Sequence, residues 1–370
     1  MHTSDVGVIG GGVMGLATAR CVLDAGGSVT VYERGEPGNA QSGGVTRLFR
    51  HAHDDPRLVE MARISRAKWS AWQQRFGVEL VSDDGAVAIG PVGRQRLPLM
   101  QDAGVPARVI DADELAERMP LLARYDGPAL IDEAAGAIRI RTAVDVLADG
   151  LGESLVTDDV LSVRPTPAGT VEVRAGGVAS EHGAVVVCAG VGTAPLARTL
   201  GVDIPVDQAA ILRITFDVAG PAPARVAGLQ DSSGAFGEPG SYGAPTPDRT
   251  QFAVGIRGRV ASELDGTLVD VHDYANYEQR VSAYVAQALP GLDPTPAAYR
   301  HCWITELPWG HDGLGVWHTD GVTFLAGHNL FKFAPEIGER LATAALEQRP
   351  DASLSPDHRL GRAEAVVPGS

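Results

Sequence analysis

Apolar and polar positions at the start of the chain predict a strand, a helix and a second strand. Residues 6–9 form a short apolar run, residues 13–25 carry apolar side chains at helical spacing, and residues 29–32 form another apolar run. Strands and helices bury side chains with different periods, so these segments predict a βαβ unit. Gly26 and Gly27 end the predicted helix, since glycine accepts the backbone conformation of a helix terminus.

Further along, the pattern predicts an α/β chain with a separate antiparallel layer. Asp55 followed by Pro56 predicts the start of a helix that reaches residue 76. The β-branched run at residues 184–190 is typical of a central parallel strand. Alternating strands around one helix between residues 204 and 300 predict the antiparallel layer. Shorter strands are predicted at residues 86–89, 109–110, 136–140, 160–164, 170–174 and 322–326, and helices at 142–151 and 335–346.

Composition narrows the class of protein. The 370 residues allow one large or two ordinary domains. The net charge of −15 argues against nucleic acid or an anionic membrane as a partner, because both require a basic surface. The sequence has neither a signal-peptide pattern nor an apolar run of about 20 residues, and no group has metal-ligand spacing. We expect a soluble, cytoplasmic α/β protein that is a monomer or a weak oligomer.

Three glycines and one acid carry the first functional signal. Gly10, Gly12 and Gly15 follow the first predicted strand, and Glu33 ends the second. In a dinucleotide-binding βαβ unit the glycines allow a tight turn, close approach of a pyrophosphate and close helix packing, while the acid binds a ribose hydroxyl. The alternative is a glycine-rich turn of an unrelated α/β protein. The fingerprint fits both NAD and FAD.

Taken together, several segments make the sequence resemble the D-amino-acid oxidase (DAO) superfamily of flavoproteins. The resemblance covers nearly the whole chain and is greatest to monomeric sarcosine oxidase and N-methyltryptophan oxidase. It rests on the glycine fingerprint with Glu33, residues 42–50 (SGGVTRLFR), residues 187–190, Cys302, and residues 331–335 (FKFAP). The small-residue loop at 38–44 and the distant completion of the nucleotide fold favour FAD over NAD.

The resemblance implies an α/β (α+β) fold of two domains. A discontinuous, Rossmann-like FAD-binding domain is joined to an antiparallel β-sheet substrate domain. The expected boundaries are residues 1–78, 140–203 and 300–350 for the FAD-binding domain, residues 79–139 and 204–299 for the substrate domain, and residues 351–370 for a loose tail.

The resemblance also implies the residues that bind FAD. Thr46 and Arg47 match positions beside the flavin ring, where a cation stabilises the reduced form. The full set is Gly10, Gly12, Val13, Met14, Gly15, Glu33, Arg34, Ser42, Thr46, Arg47, Val160, Gly190, Cys302 and Lys332.

Cys302 matches the cysteine that attaches the flavin through a thioether in this branch. A thiolate close to the electrophilic ring is the group that such a bond requires. The alternative is a small buried apolar residue, which is our interpretation of Cys21 and Cys188.

The resemblance assigns Arg50 and Lys332 to the substrate carboxylate, which suits the planar fork of arginine and the compact charge of lysine. Only Lys68 and Lys332 are lysines among 31 basic residues, so a lysine within FKF stands out. Tyr242 matches a tyrosine of the substrate cavity, and Arg257 matches a histidine further along the strand that contains Ala253. A structural ion pair for Arg50 and an ordinary strand position for Tyr242 remain the alternatives.

Several positions depart from the family pattern. Ala253 stands where the family has its oxygen-activating lysine, and Gly43 and Ile304 stand where it has a histidine and a tyrosine. The loop before Lys332 is shorter than usual. The histidines near these segments can be pocket or turn residues: His51, His53, His311 and His328.

The resemblance implies an FAD-dependent oxidase of an amino acid or another carboxylate-bearing amine, with a secondary amine favoured. Hydride passes from the substrate Cα to flavin N5, giving an imine, and dioxygen becomes hydrogen peroxide. Two alternatives stay open. Ala253 favours a dehydrogenase that uses another acceptor, and the altered pocket is compatible with a non-catalytic, flavin-bearing subunit of an amine-oxidising complex.

Overall fold

A computed structural model describes residues 3–263 and 268–362 of the chain. The chain divides into two compact units, each built from separate segments. Unit 1 comprises Met1–Gly43, Ala143–Asp207 and Ile304–Ser370, and unit 2 comprises Gly44–Thr142 and Gln208–Trp303. The predicted discontinuous α/β architecture is confirmed.

The strands of the described residues are β1 (Thr3–Ile9), β2 (Val29–Glu33), β3 (Thr46–Phe49), β4 (Ala86–Ile89), β5 (Ala107–Ile110), β6 (Ala129–Asp132), β7 (Gly136–Arg139), β8 (Leu155–Thr157), β9 (Val160–Pro165), β10 (Val171–Ala175), β11 (Val178–Val187), β12 (Asp207–Val218), β13 (Gly228–Asp231), β14 (Ser241–Pro245), β15 (Gln251–Gly255), β16 (Val260–Ala261), β17 (Leu292–Glu306), β18 (Leu314–Thr319) and β19 (Val322–Gly327).

The α-helices in the same part of the chain are α1 (Val13–Asp24), α2 (Pro56–Phe76), α3 (Pro91–Asp102), α4 (Ala112–Arg118), α5 (Ile140–Ala148), α6 (Thr193–Thr199), α7 (Val271–Ala288) and α8 (Ala334–Leu346). Short 3₁₀ helices occupy Gly152–Ser154, Gly190–Gly192, Leu330–Phe333, Ala352–Leu354 and Pro356–His358. Within the described ranges, no helix is both long and apolar enough to cross a membrane.

Unit 1 is built on a largely parallel sheet with the order β18-β19-β11-β1-β2-β8. Strand β1 lies parallel between β11 and β2, as the run at residues 184–190 predicts. Strands β9, β10 and β11 form an antiparallel meander, in which β9 and β10 correspond to the strands predicted at residues 160–164 and 170–174. Helices α1 and α8 approach closely at Gly338, where an added Cβ would lie 2.8 Å from Ala17 Cβ.

Unit 2 contains the mainly antiparallel sheet β16-β12-β15-β14-β13-β4-β6-β5, with β17 beside β12. The pair β13–β4 is parallel. The hydrophobic core of this unit includes alternate residues of β12 and β15 together with side chains of α7, among them Phe216, Phe252, Val254, Val281 and Tyr284. Strand β3 pairs with β7 in a separate ribbon.

Helix α2 has the predicted start and end. The Asp55 carboxylate accepts a hydrogen bond from Arg57 N, and Gly77 takes a left-handed conformation with φ of 68° at the other end. Helix α3 was not predicted from the sequence. It contains Pro98 and buries only Gly93 and Met100, so its apolar periodicity is weak.

Two expectations about chain organisation differ from the structure. Residues 44–78, expected with the FAD-binding domain, lie in unit 2, because β3 pairs with β7 of that unit. The expected loose tail is wrong for residues 351–362: Leu354 and Leu360 are buried, and Leu360 O accepts a hydrogen bond from Trp309 Nε1 at 2.9 Å. Residues 363–370 lie outside the described residues.

Candidate functional site

The glycine turn after β1 tolerates no side chain at two positions. Gly10 has φ of 104°, and an added Cβ would lie 2.5 Å from Cys188 O. A Cβ on Gly15 would lie 1.9 Å from Gly10 O. This steric restriction brings the backbone of the turn against the first turn of α1, whose amides and dipole favour an anion. The local structure matches that required for a dinucleotide pyrophosphate.

Polar side chains complete this end of α1. Ser42 Oγ accepts a hydrogen bond from Val13 N at 3.0 Å, while Gly12 at the N-cap position has no side chain. Glu33 accepts from Gly11 N at 2.8 Å and from Gly35 N at 3.0 Å. These bonds hold the carboxylate beside the turn, at the end of β2. The predicted ribose-binding acid therefore lies next to the predicted pyrophosphate site.

The remaining predicted FAD residues of unit 1 occupy varied positions. Met14 is buried in α1, Arg34 is exposed after β2, and Val160 begins β9. Gly190 has φ of 58° and begins a 3₁₀ helix, and a Cβ there would lie 2.0 Å from Gln41 Oε1. Gly190 thus permits the close approach of the 38–44 loop to the end of β11.

Lys332 is a buried cation with a defined orientation, only 4% exposed. Its Nζ donates to Asn329 O at 2.7 Å and lies 4.6 Å from the centroid of the Phe333 ring. Asn329 adopts a left-handed conformation, and its Nδ2 donates to Asp312 Oδ1 at 2.8 Å. Hence Asp312 supports the loop before Lys332.

The neighbouring histidines of unit 1 have protein partners. His311 Nδ1 is hydrogen-bonded to Glu306 Oε1, and its ring contacts the ring of His328 with the centroids 4.9 Å apart.

Unit 2 places Thr46 and Arg47 on β3 and Arg50 just after it. Thr46 is buried, and its Oγ1 has no hydrogen-bond partner within the described residues. Arg50 Nη1 donates to Ala52 O and lies 3.3 Å from His53 Nδ1. These contacts orient the guanidinium through a backbone carbonyl and an imidazole.

His51 has a structural explanation. Its Nδ1 lies 3.0 Å from both carboxylate oxygens of Asp132, and its backbone N donates to Asp132 Oδ2 at 3.0 Å. Both side chains are buried. This pair joins the segment after β3 to the end of β6.

Tyr242 lies on β14 beside an arginine that the sequence analysis did not identify. The guanidinium carbon of Arg213, on β12, is 5.9 Å from the centroid of the Tyr242 ring. Burial lowers the pKa of Arg213, but its interactions with Cys302, Tyr242 and Tyr277 outweigh burial and raise the pKa overall. An arginine within a strand usually lies at a solvated position, so the sequence offered little reason to select Arg213. The one available signal was that Arg213 interrupts the apolar run of β12.

Cys302 and Tyr277 lie in this neighbourhood and are buried. Tyr277 OH donates to Ile256 O at 2.6 Å, and burial raises the pKa of this tyrosine well above its usual range. Arg257 was expected on the same strand as Ala253, and this expectation is wrong. Strand β15 ends at Gly255, and Arg257 is exposed beyond it.

Comparisons with known proteins establish the family. The family profile described as "FAD dependent oxidoreductase" (DAO) matches residues 5–344 of this chain. The chain therefore belongs to the DAO family of FAD-dependent oxidoreductases. A search of curated protein sequences finds no match.

Solved structures share the fold at low sequence identity. NikD, described as an unusual amino acid oxidase essential for nikkomycin biosynthesis, is 21% identical, with 99% of each chain covered and a TM-score of 0.81. L-proline dehydrogenase from P. horikoshii is 17% identical, with 95% of this chain and 96% of that chain covered and a TM-score of 0.76. Glycine oxidase from Geobacillus kaustophilus is 19% identical, with the same coverages and a TM-score of 0.73. The particular likeness to monomeric sarcosine oxidase stays a prediction.

Proposed function

We propose that this FAD-dependent oxidoreductase oxidises the C–N bond of an amino acid or another carboxylate-bearing amine, with a secondary amine favoured. The observation that carries the proposal is the buried, oriented ammonium of Lys332 in a chain of this family. Proteins of similar fold are described as amino acid and glycine oxidases and a proline dehydrogenase. Their substrates share a carboxylate next to an amine.

The residues around the glycine turn fit FAD. Backbone amides at Gly10–Gly15 would hold the pyrophosphate, and Glu33 would accept a hydrogen bond from the ribose. The unsatisfied Thr46 Oγ1 offers a polar atom for the predicted flavin contact. When bound, FAD accepts a hydride from the substrate carbon, and the protein supplies binding and orientation.

In this proposal Arg50 and Lys332 each contribute positive charge to carboxylate binding. Asn329 O and the Phe333 ring hold Lys332 Nζ in one orientation, while Ala52 O orients the Arg50 guanidinium. Fixed cations reduce the reorganisation that binding requires and therefore position the reacting carbon. Tyr242 and Arg257 complete the predicted substrate residues.

The test is reduction of the flavin by a panel of amino acids and secondary amines without oxygen. We expect bleaching of the flavin spectrum by a carboxylate-bearing amine. Lys332→Met should lower kcat/KM by about 100-fold or more while flavin content is retained, because a charge-assisted contact to the carboxylate is lost. Lys68→Met is the matched control and should leave kcat/KM unchanged. The absence of bleaching by every amine would refute the proposal.

Ala253 favours a second candidate, a dehydrogenase with another electron acceptor. Ala253 is 5% exposed and pairs with Thr215 and Ala244, so this strand position supplies no cation. The family's lysine there would stabilise negative charge developing on oxygen. After anaerobic reduction, admission of air distinguishes the candidates: recolouring within seconds supports the oxidase with dioxygen as acceptor, and recolouring over minutes supports the dehydrogenase.

We also propose that Cys302 Sγ is bonded to the flavin 8-methyl carbon. This bond would replace the thiol S–H bond and one C–H bond of the methyl group, and the two protons and two electrons released would pass to dioxygen to give hydrogen peroxide. Acid precipitation should leave the yellow colour in the protein pellet. Cys302→Ala should release it, whereas Cys188→Ala should not. Colour in the supernatant of the unmodified protein would contradict the bond. We further propose that the protein is cytoplasmic and is a monomer or a weak oligomer.

A further inference from the structure

The two faces of the unit 2 sheet differ in chemical character. Side chains of successive strand residues point to opposite faces. On β12 and β15, Ile214, Phe216, Phe252 and Val254 belong to the hydrophobic core that includes α7. Arg213 lies between Leu212 and Ile214, which both belong to that core, and therefore belongs to the other face, as do Thr215 and Ala253. The charge considered below is that of the Arg213 guanidinium on this face.

Strand register brings Arg213 and Tyr242 together across a glycine. Tyr242 pairs with Gly255, and Arg213 precedes Ile214, which pairs with Val254. An added Cβ on Gly255 would lie 2.6 Å from Tyr242 OH, so the tyrosine ring covers this glycine. The ring thereby extends toward β12, where the Arg213 guanidinium carbon lies 5.9 Å from its centroid.

The next row of the same face consists of small side chains. Thr215 pairs with Ala253, and Ala253 pairs with Ala244. All three are buried. Directly paired residues share a face, so this row lies beside Arg213 and Tyr242. These side chains are short, so they extend less far from the sheet than Arg213 and Tyr242 do.

The charge of Arg213 lacks an anion within the described part of unit 2. Arg213 Nη1 is buried and has no hydrogen-bond partner there. The groups that interact with the guanidinium favourably are Cys302, Tyr242 and Tyr277, and none of them is a carboxylate. Arginine stays protonated in proteins. Arg213 as a residue is half-buried. A charge drawn out of water without a counter-ion is costly, so this arrangement is typical of a binding site for an anion.

We infer that Arg213 and Tyr242 bind an acidic group of the substrate, so that the substrate is an amine with a second carboxylate, such as an amino acid with an acidic side chain. The planar guanidinium suits a carboxylate, and the Tyr242 hydroxyl supplies another donor. The amine part of this inference rests on the proposed function. The anion site rests on the geometry of unit 2 alone.

The test measures binding of glutarate and of its neutral diamide, glutaramide, to the purified flavoprotein by titration calorimetry. We expect the unmodified protein to bind glutarate more tightly than glutaramide. Arg213→Met should weaken glutarate binding at least tenfold and leave glutaramide binding unchanged. Arg213→Lys should restore part of the affinity, since it keeps the charge and loses the fork. Arg174→Met, an exposed arginine on β10, is the matched control.

Thermal unfolding of each variant separates binding from folding. Replacement of this half-buried charge, which has no carboxylate partner in the described part of unit 2, by an apolar group should leave the melting temperature unchanged or raise it. An unaltered preference for glutarate in Arg213→Met would overturn the inference. A changed flavin spectrum with the same preference would also overturn it and assign Arg213 to the cofactor. If no amine reduces the flavin but glutarate binding depends on Arg213, the anion site stands and only the proposed amine oxidation fails.

Discussion

Two groups of residues are assembled in different ways: the glycine turn of unit 1, and the group around Arg213 and Tyr242 on the unit 2 sheet. In unit 1, Gly10, Gly15 and Glu33 lie within the first 33 residues. Gly15 packs against the carbonyl of Gly10, and the Glu33 carboxylate accepts a hydrogen bond from Gly11 N. In unit 2, Arg213, Tyr242 and Cys302 come from separate strands. Local stereochemistry determines the first arrangement, and strand register determines the second.

This difference explains which residues a sequence motif can reveal. A motif records residues whose spacing along the chain is itself the structural requirement, as in the turn between β1 and α1. A group assembled by strand pairing has no fixed spacing in the sequence. Its members become visible only when the register of β12, β14 and β15 is known.

The largest expected effect comes from Gly15→Ala in the locally determined region. The added Cβ would lie 1.9 Å from Gly10 O, so the turn or helix α1 must move. We expect a loss of about 3 kcal/mol in the free energy of unfolding and protein purified without flavin. Chemical denaturation and the ratio of flavin to protein absorbance measure these effects.

Gly177→Ala is the control for that substitution. Gly177 has open space around its Cα, so alanine should leave stability within about 0.5 kcal/mol of the original value. If Gly15→Ala retains flavin and stability as Gly177→Ala does, local steric restriction does not determine the structure of the turn between β1 and α1.

Unit 1 also contains a polar group assembled by strand register, in which His182 contacts Ser4 and Tyr32. A smaller effect on stability is expected from replacing His182. Ser4 Oγ donates to Val6 O, so His182 Nδ1 must donate to Ser4 Oγ at 2.8 Å. In the neutral ring, Nε2 then accepts from Tyr32 OH at 2.8 Å. His182→Leu should lower the free energy of unfolding by about 2 kcal/mol, because it removes the partner of a buried hydroxyl. Urea denaturation measures the change.

The double variant with Tyr32→Phe sharpens this result. It removes the hydroxyl that His182→Leu leaves without that partner, so the two losses should sum to more than the loss in the double variant. Strict additivity would show that the hydrogen bond across β2 and β11 contributes nothing to stability.

The smallest expected effect concerns pH and His301 of unit 2. Burial, and then the charge of Arg300, lowers the pKa of His301 below 6.5. The unfolded chain therefore binds this proton more readily, and stability falls as the pH decreases through 6.5. His301→Gln should reduce the loss of melting temperature between pH 7.5 and 5.5, by about 1 °C. His272 is exposed, so His272→Gln should not change how the melting temperature depends on pH. If both substitutions had the same effect, the lowered pKa of His301 would not be its cause.

Particular elements show how far sequence analysis reached. The Asp55 cap, the strand of residues 184–187 and the turn at Gly10 were predicted because neighbours in the chain determine them. Arg257 was placed on the wrong element because strand ends depend on pairing, and β15 ends at Gly255. Helix α3 was not predicted because it buries few side chains. The order of residues 351–362 was not predicted because Leu360 contacts Trp309, which is distant in the sequence.

The amino-acid sequence alone determined the glycine turn after β1, the acid at the end of β2 and the family, since sterically required glycines and their spacing are written directly in the chain. Only the tertiary structure decided that Arg213 lies against Tyr242, across the side-chain-free position of Gly255. The physical reason is that hydrogen-bonded register brings distant strands together, and a shift of one residue would turn every side chain to the other face.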